Sequence, residues 1–279
     1  MKKPLILLII LVVVISGWLA YRKYVIDAEP SDLITSSPVK TDEQQKEIEV
    51  FLPTTNTTTV GTKFVIYGKG RAFENTLNYR ISDGAGKQLF FGHFMTNSPE
   101  AGVFGYFHQE VDLAEILKII PANIRLDVFE ASAKDGADIH KTSFDFKVDS
   151  ASTSIFAYFF NNNLDPDVGC DKTFAVSRVV PKTAAILRAA LEELLSGPTS
   201  NERKLGFETS ITKDVKLNSV KIVGNANDIA VIDLSKDQSG GSCRVGIITS
   251  QITNTAKQFD NVKQVIISVN GKTEDILQP

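Results

Sequence analysis

Histidine is nearly missing from this chain. Only His93, His108 and His140 occur in 279 residues, and none falls in an H-E-x-x-H or other metal-ligand spacing. No histidine follows residue 140. That removes a cysteine–histidine nucleophile from the last part of the chain, unless it shares a cleft with the first. Cysteine is equally scarce. Cys170 and Cys243 are too far apart for a C-x-x-C redox pair, and neither lies near the apolar amino-terminal run, so a lipid-modified cysteine anchor is not expected. No serine occupies a G-x-S-x-G elbow. The glycines at Gly68–Gly70 and Gly84–Gly86 lack the strand–loop–helix context of a phosphate loop and read as turns. A basic stripe is also lacking: without Lys2, Lys3, Arg22 and Lys23, 26 basic residues face 33 acidic ones. The chain has no electrostatic footprint for nucleic acid or anionic lipid.

Long apolar runs are absent as well, with one exception. Leu5–Tyr21 (LILLIILVVVISGWLAY) holds no charged side chain. As a helix it would span about 25 Å, at the short edge of what crosses a bilayer. Trp18, Tyr21 and Tyr24 suit a membrane interface, and Arg22 and Lys23 can reach head groups. Gly17-Trp18-Leu19-Ala20 is a poor signal-peptidase site. The run reads as a retained single-pass anchor (residues 1–24) with the bulk of the chain extracytoplasmic. A cleaved signal and the reverse orientation are the competing outcomes. Residues 25–46, polar with two prolines, read as a flexible tether.

From residue 47 to 149 the grammar is all-β. Leu77, Tyr79 and Ile81 alternate with Asn78, Arg80 and Ser82, the period of a half-buried strand. Strands are also expected at 47–52, 63–68, 87–94, 103–111, 124–131 and 139–148, with Thr54–Gly61 as a turn and a short helical excursion at Leu113–Ile120. Seven candidates split by Gly, Pro, Asn and Asp argue for a β-sandwich. Ten phenylalanines from Phe64 to Phe146 are expected to fill the space between its sheets.

Asp149–Ser154 marks a boundary, and 155–279 reads as α/β (α+β): two helices packed on one face of a sheet. Pro181 is expected to open the first helix, with Ala184, Leu187, Leu191, Leu194 and Leu195 on its apolar stripe and Glu192-Glu193 wet. Gly197-Pro198 stops it, Gly197 with a left-handed cap, and Thr199 with Glu202 forms a capping box for a new turn. The alternative to this structural role is that Glu202 pairs with Arg178 or Arg203 in a surface groove used for binding. Val215–Val223 and Asp228–Leu234 form a hairpin, a second helix covers Val245–Phe259, and a strand covers Val262–Val269.

Cys170 and Cys243 admit one pairing. An extracytoplasmic address favours a disulfide, and two buried thiols are the alternative. The acidic groups Asp165, Asp167 and Asp171, and Glu192, Glu193 and Glu202, keep a glycosidase-type pair in view. They lie on a loop and on the polar side of a helix, which speaks against catalysis. Asp165-Pro166-Asp167 lacks the regular spacing of a calcium loop. The residues point to no catalytic site, metal or cofactor.

Arg178-Val179-Val180, the run Ala190–Thr199 with Glu202 and Gly206, Ala230–Leu234, Gly240–Cys243, Gln251-Ile252 and Asn270-Gly271 together resemble the GerMN domain of sporulation and germination envelope proteins. Gly68-x-Gly70-x-Ala72-Phe73-Glu74, Tyr79-Arg80-Ile81-x-Asp83-Gly84 and Gly102-x-Phe104 resemble the immunoglobulin-like domain found beside such modules. The resemblance implies an exported, membrane-anchored, non-enzymatic binding or scaffold protein of the bacterial envelope. Its expected partners are an envelope protein or peptidoglycan, the bilayer through residues 5–21, and a second copy through an open sheet edge. A peptidoglycan-active hydrolase or its regulator is the alternative.

Overall fold

Alternation in the first half produces two sheets facing each other. The structure, a computed structural model, describes residues 46–167 and 169–278. The apolar run Leu5–Tyr21 and all of the tether but Lys46 lie outside the described residues. Among the described residues no helix is long and apolar enough to cross a membrane.

One sheet of the first half orders β1 (Ile48–Leu52), β3 (Lys63–Gly70) and β6 (Gly105–Asp112) as β1-β3-β6. The other contains β2 (Thr59–Gly61), β4 (Thr76–Asp83), β5 (Gln88–Met95), β7 (Asn123–Ala131) and β8 (Asp138–Asp149), ordered β2-β8-β7-β4-β5. Tyr79 pairs with Val128 and Ile81 with Leu126, so one face of each strand enters the core with Phe64, Phe94, Phe107, Phe144 and Phe146. The phenylalanines do not all serve that core. Phe129, opposite Asn78, turns to the outer face, buried beneath the Arg80 guanidinium at 4.6 Å and beside the exposed Phe91 ring. The Thr-rich stretch expected to be only a turn contains β2, which runs parallel to the end of β8. The helical excursion is one turn, α1 (Leu113–Ile116), whose Ala114 amide is capped by the Asp112 carboxylate.

The second half departs from the single-sheet expectation. It has two three-stranded sheets. β9 (Thr153–Asn161) lies between β10 (Phe174–Val180) and β11 (Phe207–Glu208), while β13 (Ile229–Leu234) lies between β12 (Leu217–Val223) and β14 (Gln264–Val269). Helices α2 (Ile186–Ser196) and α4 (Ser242–Lys257) pack on each other, on β9, and on the second sheet through β12 and β14. The short α3 spans Ser200–Lys204.

Pro181 does not open α2. The chain turns at Thr183–Ala185, where the Ala185 amide donates to the Thr183 hydroxyl (3.1 Å), and the helix begins at Ile186. Ala184 is therefore exposed and outside the apolar stripe, which holds Leu187, Ala190, Leu191 and Leu194.

The cores are not segregated by half. Val65 and Tyr67 of β3 belong to the same buried cluster as Phe156, Phe159, Phe207, Leu191 and Ile248, and Phe51, Leu52 and Tyr106 pack on it. The outer face of the β1-β3-β6 sheet is thus a wall of the second half's core. Lys46–Pro279 forms one compact unit.

Candidate functional site: the seam between the two halves

Strand alternation puts Tyr106, His108 and Glu110 on the outer face of β6, opposite the core-facing Phe107 and Val111. On β3, paired with β6, Tyr67 lies opposite His108. A solvated sheet face tolerates such residues; here they are covered by β9, β10 and the α3–β11 turn.

Tyr67, His108 and Glu110 each have a polar partner across the seam, as burial requires. The fully buried Tyr67 hydroxyl donates to the Leu205 carbonyl at 2.8 Å, and the Asn161 and Asn163 side-chain amides converge on the same two oxygens. Phe207 meets the Tyr67 ring edge-on at 5.1 Å. His108 Nε2 lies 2.8 Å from the Ala175 carbonyl, which makes Nε2 the protonated nitrogen of a neutral ring. Burial lowers the His108 pKa to about 4. The Tyr158 hydroxyl donates to Glu110 at 2.8 Å. Burial pushes both the carboxyl and the phenol upward. Asn97 Nδ2 donates to the Asn163 carbonyl at 2.7 Å.

Beside the seam a groove of about 180 Å³ runs between Pro53, Thr57, Thr59 and Lys63 of the first half and Ser177, Val179 and Glu202 of the second. Glu202 reaches it already committed. Its two oxygens accept from Arg178 at 2.5 and 2.8 Å, and one also takes the Thr199 amide at 2.8 Å. The Thr199 hydroxyl accepts the Glu202 amide in return, completing a capping box on α3. Arg203 takes no part in this pairing; Arg178 instead extends to Glu193 at 3.3 Å. Gly197 sits at φ 76°, its amide on the Leu194 carbonyl, and Pro198 is buried. Gly197, Pro198, Thr199 and Glu202 thus share one corner.

Cys170 and Cys243 lie elsewhere, joined in a disulfide that pins the 162–173 loop to the first turn of α4. The loop backbone lies tight on that helix: a Cβ on Gly246 would meet the Cys170 carbonyl oxygen at 2.5 Å.

The remaining acidic candidates do not converge. Asp165 accepts from the Gly169 amide and from Lys172 Nζ at 2.8 Å. Glu192 pairs with Arg188 along α2. Among the described residues no group of three or more His, Cys, Asp or Glu side chains is placed to hold a metal ion. His93 is exposed on β5, and His140 Nδ1 meets Glu130 at 3.0 Å.

Sequence reasoning missed the seam itself. The signal available was the pattern of β6, GYFHQEVD, which sets two rings and an acid on the face away from the sandwich.

Comparison with known families resolves what the two halves are. Residues 157–275 match the family Germane, described as sporulation and spore germination. Residues 47–137 match Gmad2, the immunoglobulin-like domain of bacterial spore germination. The chain carries a GerMN-type domain joined to a Gmad2 domain.

Solved structures overlap it, among them the following three. The tandem GerMN domains of the sporulation protein GerM from Bacillus subtilis are 23% identical over 44% of this chain and 40% of that one, with a TM-score of 0.34. A putative lipoprotein from Clostridium perfringens is 22% identical over 46% and 81%, TM-score 0.31. The first GerMN domain of the same Bacillus subtilis protein is 21% identical over 46% and 92%, TM-score 0.30. The chain therefore spans well under half of the tandem structure. No curated protein matches the chain. The seam is thus the junction of a Gmad2 domain with a GerMN domain.

Proposed function

We propose that the protein is a membrane-tethered, extracytoplasmic binding or scaffold protein of the bacterial envelope, related to sporulation and germination and without enzymatic activity of its own. The shared core carries this reading. A Gmad2 and a GerMN domain joined through Tyr67 and the Phe207 ring form one compact unit with a common core, which suits holding partners in register. The ionisable groups nearest the seam act as fasteners: Glu110 holds Tyr158, His108 holds a backbone carbonyl, and Glu202 holds Arg178. The Cys170–Cys243 disulfide fits an oxidising, exported address. Leu5–Tyr21 supplies the anchor and residues 25–46 the reach.

The test is capture by residues 46–279 of purified peptidoglycan fragments and of solubilised envelope proteins. Retention of one class, without release of soluble glycan or peptide products, supports the reading. Release of such products by the fragment would favour a wall-active hydrolase and contradict it.

A further inference from the structure

Exposed apolar side chains collect at the end of the Gmad2 domain where the chain enters from its amino-terminal segment. Glu47 marks that entry: its carbonyl accepts the Arg71 amide at 3.0 Å, and its carboxylate is paired with the Arg71 guanidinium. Immediately beyond Arg71, Phe73 is 62% exposed; Met95 is 64% and Val103 44% exposed. Backbone contacts hold the three segments together, Gly102 N–H to the Ala72 carbonyl at 3.2 Å and Thr96 N–H to the Asn75 carbonyl at 2.9 Å. Phe73 is presented rather than loose, since its amide is fixed by Glu130 at 2.8 Å. Phe104 lies under Lys69 and Arg71, each 5.1 Å from its ring centroid.

We propose that this end of the Gmad2 domain lies on the bilayer, with Phe73, Met95 and Val103 entering the boundary between head groups and acyl chains. The proposal rests on the reading of Leu5–Tyr21 as an inserted anchor. Residues 25–46 separate the apolar run from Glu47, and a chain of that length, as a coil, would reach about 25 Å at root-mean-square. That keeps the entry end at a high effective concentration at the membrane surface, so weak apolar contacts suffice. Electrostatics does not drive the contact. Lys69 and Arg71 are offset by the neighbouring Glu47, Glu74 and Glu100, so a neutral bilayer serves as well as an anionic one. The occupant is the lipid surface.

Trp18 is the only tryptophan in the chain, which makes the test clean. The full-length protein is reconstituted in phosphatidylcholine vesicles with or without bromine on the acyl chains. In the W18F/F73W protein the single indole should be quenched at least twofold by brominated lipid, and adding V103D and M95D should abolish the quenching. In W18F/I119W the indole at Ile119, 84% exposed at the opposite end of the sandwich, should be unaffected. Quenching of native Trp18 without quenching of the F73W indole would overturn the proposal and leave the anchor standing. Native Trp18 unquenched would remove the anchor reading and this proposal with it. Equal quenching at positions 73 and 119 would show non-specific adsorption and also overturn it.

Discussion

Tyr67 is where one substitution tells whether the two domains are a single folding unit. It is fully buried, its ring packs on Phe51 and Phe207, and its hydroxyl donates to Leu205. Tyr67→Phe removes the hydroxyl alone. The Leu205 carbonyl keeps the Asn161 and Asn163 amides at 3.1 and 3.3 Å, so no buried acceptor is orphaned. The loss should be about 1 kcal/mol, an ordinary net hydrogen bond. Tyr67→Ala removes the ring from a site walled by both domains, and by analogy with other large-to-small core changes costs about 3–5 kcal/mol. The informative quantity is where that cost is felt. Urea unfolding of residues 46–279, followed by far-ultraviolet circular dichroism, should give one transition for wild type. For Tyr67→Ala the midpoint should fall, with amide hydrogen exchange accelerating in β3 and also in β9, β11 and α4. The shared-core argument fails if exchange accelerates in β1, β3 and β6 while the GerMN domain keeps its wild-type protection.

Three further outcomes follow from the same contacts. Reduction of Cys170–Cys243 opens a loop of 73 residues and should lower stability by up to about 4 kcal/mol on the chain-entropy model; an unchanged melt, with both thiols titratable beforehand, would contradict the bond. Glu202→Ala strips Arg178 of its bidentate partner and Thr199 of its cap. With Glu193 still near the guanidinium, the loss should be about 3 kcal/mol by urea midpoint, and a loss below about 0.5 kcal/mol would show the pair to be solvent-screened. His108 has a native pKa of about 4 against about 6.5 when unfolded. Between those values the unfolded chain binds more protons, so stability is full above pH 6.5 and falls as the pH drops toward 4. The loss is on the order of 3 kcal/mol. His108→Gln should flatten that limb of the stability profile, and an unaltered limb would assign it to other groups.

What the sequence disclosed depended on whether a feature was local. The alternation of Leu77, Tyr79 and Ile81 marked a strand because one face of it is buried, and Gly197 with the Thr199–Glu202 spacing described a helix stop and restart within eight residues. The start of α2 misled because proline favours a first helical turn, while here the Thr183 hydroxyl accepts the Ala185 amide in a local turn that holds the chain out of the helix until Ile186. β2 escaped notice because Thr59–Gly61 is a strand only through pairing with Lys147–Asp149, almost ninety residues on. The seam was out of reach for the same reason. Tyr67, His108, Glu110 and Tyr158 are unremarkable in their own strands, and their roles arise from partners 48 to 138 residues away.

Limited proteolysis of intact protoplasts tests the account most directly. A protease that cuts polar, proline-containing chain should cleave within residues 25–46 and release into the medium one folded, disulfide-bonded fragment holding both the Gmad2 and the GerMN domain. A chain that stays whole until the cells are lysed would place its bulk inside the cytoplasm and contradict the proposed location. Release of the two domains as separate fragments would contradict their fusion through a common core.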